Sequence, residues 1–192
     1  MTKAIFLSWL SALVLVVLPW SLGLTAPTRL INELGALEHS GRSLVNGLFL
    51  LSGAFWMGTV EAARKQLEPQ RLDPWLRFGV IAFAASLIGR MIFPCDLNCP
   101  LDGSATQLVH NTLVWVLYAG ALIAGWRVPN LTLAVRLLKW LLLVCFVLLQ
   151  WAFWHRDAWP GLWQRGYELS FAVLWLIWVH YITRVQSAKA DR

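Results

Sequence analysis

Six stretches of roughly twenty mostly apolar residues follow one another along this 192-residue chain, and that spacing constrains the fold more than any single motif. They run from Ala4 to Leu24, Ser43 to Ala62, Trp75 to Phe93, Gln107 to Trp126, Leu131 to Trp154 and Leu162 to Thr183. A helix rises about 1.5 Å per residue and a bilayer's hydrocarbon core is about 30 Å thick, so each stretch is long enough to cross once. The connections are short, with no Ser/Gly-rich linker and no internal repeat. The expected fold is therefore all-α: a polytopic integral membrane protein built as a six-transmembrane-helix bundle, a single membrane domain over residues 1–192. Composition agrees, because a chain that is 58% hydrophobic and 14% charged carries more apolar side chains than one water-facing core can hide. This excludes a disordered chain and a disulfide-dense secreted module. The first stretch is read as a retained helix, since Ala4 to Trp20 is longer than the roughly 7–15 residues of a signal peptide's apolar region and no Ala-x-Ala follows.

Charge placement gives the orientation. Cytoplasmic loops carry the excess of Lys and Arg, and eleven of the sixteen basic residues fall on one side: Lys3, Arg64, Lys65, Arg71, Arg77, Arg127, Arg136, Lys139, Arg184, Lys189 and Arg192. The opposite side holds Arg29, Arg42, Arg90, Arg156 and Arg165, offset by Glu33, Glu38, Asp96, Asp102, Asp157 and Glu168. Both termini are expected in the cytoplasm, and in a bacterial cell the odd-numbered loops face outward from the cytoplasmic (inner) membrane. The net charge of +6 is then a topology signal, and nothing else in the sequence supports a nucleic-acid partner. Membrane lipids are the expected partners, with basic loops against anionic headgroups. The sequence identifies no protein partner. Trp20, Trp151, Trp154, Trp159 and Trp163 mark the outer interface, and Trp75, Trp126 and Trp140 the inner one. Small residues one turn apart, Ala54 and Gly58, Ala82 and Ser86, Gly120 and Ala124, suit close helix packing.

The chemistry gathers on the outer side, with His39, His110, His155, two of the three Cys and six of the ten acids. The strongest local motif is Arg90-Met-Ile-Phe-Pro-Cys-Asp-Leu-Asn-Cys-Pro100, followed by Gln107, His110 and Asn111. Pro94 ends the third helix, and Asp96-x-Asn98 is turn chemistry, so a tight ordered cap is expected. Cys95 and Cys99 face an oxidising compartment in this topology, which favours a disulfide. The competing reading is a soft-metal pair, but a Cys-x3-Cys alone lacks the second pair or nearby His that a tetrahedral zinc site needs. Cys145 reads as a packing residue. Asp96 and His110 stand at the mouths of consecutive antiparallel helices, where such a pair can orient a general base, hold a metal or tie two helix ends together. Arg90 can snorkel outward, pair with Asp96 or bind an anion. Asn46 enters the second helix, where an amide one turn into lipid bonds to another helix. Glu33, Glu38 and His39 lie in the first outer loop. Gln164, Arg165 and Glu168 make a polar start to the last helix, with Arg165 and Glu168 at i,i+3. His180 lies on the other side, outside any outer site. No Cys-x-x-Cys-His, phosphate loop, Rossmann glycine run or Gly-x-Ser-x-Gly elbow is present, so no cofactor or metal is identified.

Three features together resemble the bacterial and archaeal membrane proteins called the domain of unknown function 998 family: Asn32-Glu33-Leu34-Gly35 with Asn46, Phe93-Pro94-x-Asp96 with His110, and Gly161-Leu162-x-x-Arg165. The resemblance spans nearly the whole chain and implies a six-helix unit with a clustered polar site, but no reaction. The Cys95 and Cys99 pair looks like an elaboration beyond that pattern. The leading expectation is an outer polar pocket of Asn46, Arg90, Asp96, His110, Arg165 and Glu33 that binds a lipid headgroup or lipid-linked molecule. Arg90 and Arg165 would contact the anion and Asn46 would orient the ligand, while Asp96 and His110 would add acid/base or metal-assisted hydrolysis if it is an enzyme. The alternatives are a small transporter or permease, disfavoured by inner halves nearly free of polar residues, and a non-catalytic assembly or signalling partner.

Overall fold

The computed structural model describes residues 2–17, 30–37, 40–66, 73–155 and 158–190, and among them every regular element is helical. The helices are α1 (Lys3–Ala12), continued by a π turn over Leu13–Val17, then a 3-10 turn at Ile31–Gly35, α2 (Arg42–Gln66), α3 (Pro74–Ile92), α4 (Ala105–Arg127), α5 (Leu133–Trp154) and α6 (Pro160–Ala190). Five of them, α2 to α6, are long and apolar enough to cross a membrane, which makes this a multi-pass membrane protein. The described part of α1 is too short to cross by itself, and the rest of the expected first span, residues 18–24, lies outside the described residues. So do Arg29, Glu38, His39, Arg156 and Asp157.

Local chemistry sets the helix ends. Asp73 caps α3, accepting from the backbone N–H groups of Trp75 and Leu76 at 3.0 and 2.9 Å, with Pro74 at the first helical position. Ser104 and Thr132 cap α4 and α5 in the same way. At the far end of α4, buried Lys139 donates to Trp126 O at 2.9 Å and to Asn130 Oδ1 at 2.8 Å, placing a cation on a helix C-terminus. The Asp73 carboxylate is also gripped by the Arg127 guanidinium, Nε to Oδ2 at 3.0 Å, so the start of α3 is tied to the end of α4.

Helix α3 lies between α2 and α4, α1 packs on α2 and α6, and α5 on α6. Small residues allow the closest approaches. A Cβ at Gly79 would come 2.5 Å from Gly120 O, and one at Gly120 would come 2.6 Å from Gly79 O, so α3 and α4 touch backbone to backbone. Gly53 plays the same part between α2 and α3, whereas Ala54 of the expected Ala54/Gly58 pair faces outward. The centre is aromatic: Trp56 stacks on Phe171 at 5.0 Å, meets Phe83 edge-on at 5.2 Å and lies against Trp175. Of the expected interfacial residues, Trp75, Trp126, Trp140, Trp151, Trp154 and Trp159 are exposed, Trp163 is half-buried against the core, and Trp20 lies outside the described residues. Helices α4 and α5 meet only lightly, and the space between them at the disulfide end becomes the site.

Candidate functional site

The disulfide end is closed by a cap whose parts come from distant stretches of chain. The 3-10 turn Ile31–Gly35 buries Ile31, Asn32, Leu34 and Gly35 against the first turns of α6 and α2. Its first N–H has no acceptor within the turn; instead Ile31 N donates to Gln164 Oε1 at 2.8 Å. The Gln164 amide then donates to Asn32 Oδ1 at 3.3 Å and to Glu168 Oε1 at 3.2 Å, so one fully buried side chain serves three partners. Asn46 Nδ2 donates to Gly35 O at 3.1 Å, and a Cβ at Gly35 would stand 2.5 Å from Asn46 Oδ1. A larger residue there would push away the amide that holds the turn. The Asn32-Glu33-Leu34-Gly35 motif is thus a docking turn for α2 and α6.

The loop between α3 and α4 completes the cap. Cys95 and Cys99 form a disulfide, Cα to Cα 5.1 Å, around a turn in which Asn98 and Cys99 take positive φ (62° and 44°). Leu37 N donates to Cys95 O at 3.0 Å, joining this loop to the first segment. Asp96 accepts from Ser104 N and Ser104 Oγ, both at 2.9 Å, and its own N–H donates to Gln107 Oε1 at 2.7 Å. Gln107 Nε2 donates to Pro100 O and Asn111 Oδ1, and Asn111 Nδ2 to Pro100 O and Leu101 O. The Asp96 carboxylate therefore fastens the loop to the start of α4. His110 instead bonds through Nδ1 to Phe93 O at 2.8 Å, and no hydrogen bond joins it to Asp96. Because a carbonyl only accepts, Nδ1 carries the proton and Nε2 the lone pair.

Arg90 lies deeper than the sequence suggests. It is fully buried, with its guanidinium carbon 4.1 Å above the Phe49 ring, and none of its three side-chain nitrogens makes a hydrogen bond. It neither snorkels nor reaches Asp96. Glu168, buried one turn beyond Gln164, is the acid electrostatically coupled to both Arg90 and Arg165. An arginine at this depth is costly unless compensated, and here the Phe49 ring face and the field of Glu168 are what it has in place of hydrogen bonds.

That cavity, about 260 Å³, opens between α4 and α5. Leu30, Leu101, Val114, Trp115, Phe153 and Trp154 make its apolar wall, and Asn32, Cys99, His110, Asn111, Tyr118 and Gln150 its polar one. Three buried polar atoms of those lining residues, His110 Nε2, Tyr118 Oη and Gln150 Nε2, have no hydrogen-bond partner. Together they offer one acceptor, one hydroxyl and one amide donor, with Arg90 acting electrostatically on His110 and Tyr118. Trp115 and Trp154 are more than half exposed (54% and 75%).

Of the residues expected to form the site, only His110 lines this cleft. Asn46, Asp96 and half-buried Glu33 belong to the cap, Arg165 is buried on α6, and Arg90 is buried on α3 outside the lining. Tyr118 and Gln150 were not expected. Each lies within an apolar run; Gln150 falls in the last turns of α5, but Tyr118 lies just past the middle of α4, where position alone signals nothing. His110 also corrects the expectation that the Cys pair has no nearby His: its ring nitrogen and both sulfurs lie within 4.8 Å of one another.

Fold and site define a multi-pass helical membrane protein with a capped, largely apolar cleft near one end of the bundle. The chain matches the family described as protein of unknown function (DUF998) over residues 4–181, and it belongs to that family. Comparison with curated proteins and with solved structures gave no match.

Proposed function

We propose that this protein binds the phosphate-bearing headgroup of a membrane lipid or lipid-linked molecule in the cleft between α4 and α5. The observation that carries the reading is the set of buried atoms without a hydrogen-bond partner, His110 Nε2, Tyr118 Oη and Gln150 Nε2, on residues that line the cleft, with the field of Arg90 acting on two of them. A buried polar group left without a partner costs about 1–3 kcal/mol, and a bound polar ligand removes that cost at several atoms together. The apolar wall and the exposed Trp115 and Trp154 give such a ligand a membrane-side route, since indole rings favour headgroup depth. The positive-inside count supports six spans with both termini in the cytoplasm of a bacterial cell and the cleft at the periplasmic face of the inner membrane. Asp96 and Asn46 then act at a distance, by holding the loop and turn that roof the cleft.

The test uses the full chain in nanodiscs made with either phosphatidylglycerol or phosphatidylcholine, extracted in mild detergent and weighed by native mass spectrometry. The wild type is expected to retain one phosphatidylglycerol, and the double variant Tyr118→Phe, Gln150→Leu to lose at least nine-tenths of it. Equal retention by the variant, or no stoichiometric lipid on the wild type, overturns the reading.

A further inference from the structure

Three groups with strong affinity for soft metals lie together in the wall of the cleft. The sulfurs of Cys95 and Cys99 and a ring nitrogen of His110 fall within 4.8 Å of one another, and all three residues are buried. His110 is also held as a metal-binding histidine is commonly held. Its Nδ1–H is fixed on the Phe93 carbonyl at 2.8 Å, which sets the ring orientation and leaves the Nε2 lone pair unpartnered. In the disulfide neither sulfur is a thiolate, so the oxidised protein offers a metal only the imidazole. Two thiolates about 2.3 Å from a tetrahedral metal lie roughly 3.8 Å apart, which side chains on backbones with a Cα separation of 5.1 Å can reach.

We propose that Cys95, Cys99 and His110 form a Cys2His site for a thiophilic cation, Zn²⁺ above all, which exists only when the disulfide is reduced. Reduction takes two electrons and two protons from a thiol reductant, which itself leaves as a disulfide. Each cysteine then releases its proton to solvent as the metal takes the thiolate. Two thiolates cancel the charge of Zn²⁺, so the occupied site adds no net cation beside Arg90. Cys99 and His110 both line the cleft, so a metal held there would sit in its wall, with the cleft as the space from which a fourth ligand could come. Three protein ligands with one open position is the arrangement of reactive zinc sites, whereas structural sites are closed by four. The inference does not rest on headgroup binding, because metal content is read without any lipid.

The test compares the detergent-purified full chain, oxidised or reduced with a trialkylphosphine, a reductant that is not itself a thiol ligand. Each sample is incubated with Zn²⁺, or with Co²⁺ as a spectroscopic probe, desalted and assayed for metal. The reduced protein is expected to hold one equivalent, with thiolate-to-cobalt charge-transfer absorption, and the oxidised protein none. His110→Gln should weaken binding at least tenfold, while Cys145→Ser, which alters the remaining cysteine, leaves it unchanged. If the reduced apoprotein loses structure, Zn²⁺ should restore its melting transition. Failure to bind stoichiometric metal in the reduced state, with or without loss of structure, overturns the proposal, as does binding that ignores both reduction and His110→Gln.

Discussion

Replacing Gln164 with Leu keeps the volume of a fully buried side chain and removes all of its hydrogen bonds. Three partners are then stranded: the Ile31 N–H that had been donating at 2.8 Å, Asn32 Oδ1 at 3.3 Å and Glu168 Oε1 at 3.2 Å. Each buried group left unsatisfied costs about 1–3 kcal/mol, so three together cost at least ~3 kcal/mol even at the low end. For a chain of this size 1 kcal/mol moves a melting transition by about 2–4 °C, and Gln164→Leu should melt at least about 6 °C below wild type. Asn32→Ala removes only the longest of these contacts and should fall by no more than about 4 °C. The assay is thermal unfolding in detergent, followed by tryptophan fluorescence, with both variants purified alongside wild type. A drop under about 2 °C for Gln164→Leu, or a larger one for Asn32→Ala, would refute the assignment of Gln164 as the centre of the cap.

Acid should loosen the opposite end of the bundle. The Asp73 carboxyl is held below its ordinary value, first by the hydrogen bond from Arg127 and then by the backbone N–H groups of Leu76 and Trp75. A carboxylate lowered by folding stabilises the native state above its unfolded value near 3.9, and that support fades as pH falls through the lower folded value. Asp73→Asn should therefore flatten the acid limb of a melting-temperature profile below about pH 4 while changing its shape little at pH 7, and an unchanged limb would exclude this pair as a source. Gly79→Leu should cost about 1–3 kcal/mol or more by forcing α3 from α4, because even a Cβ would lie 2.5 Å from Gly120 O; melting within 1 °C of wild type would show that this contact is loose.

Apolar length made five of the helices legible, since each of α2 to α6 starts and ends within a few residues of its apolar run except where α2 and α6 continue beyond it. The extra turns, to Gln66 and Ala190, are polar and basic, and hydropathy does not register them. The Cys95–Cys99 disulfide was the favoured reading of the two cysteines over a metal pair, and the structure holds it. Which polar groups would meet was not legible. Asp96 and His110 stand at neighbouring helix mouths, yet a serine eight residues after Asp96 takes its carboxylate and a backbone carbonyl takes the imidazole. Chain proximity ranks these partners equally, and only the path of the loop decides. Arg90 was expected to seek water or a carboxylate, but Phe49 offers it a ring face, a partner from another helix that no local pattern announces. Gln164, Arg165 and Glu168 were legible as a polar helix start; that Gln164 would satisfy a backbone donor in the first loop depends on packing across the bundle.

The bond from Ile31 to Gln164 also bears on the order in which the molecule is assembled. Its two ends are 133 residues apart in sequence. At synthesis rates of about 5–20 residues per second, the turn at Ile31 waits roughly 7–27 s before its acceptor is made. During that interval the turn can be held by Asn46 on α2 and, once the disulfide loop is made, by Cys95 O through Leu37, but the Ile31 N–H still lacks its acceptor. The cap is thus completed only after the last helix is in place, although the contacts that cover the disulfide, from Asn32, Ala36 and Leu37, are made earlier in the chain.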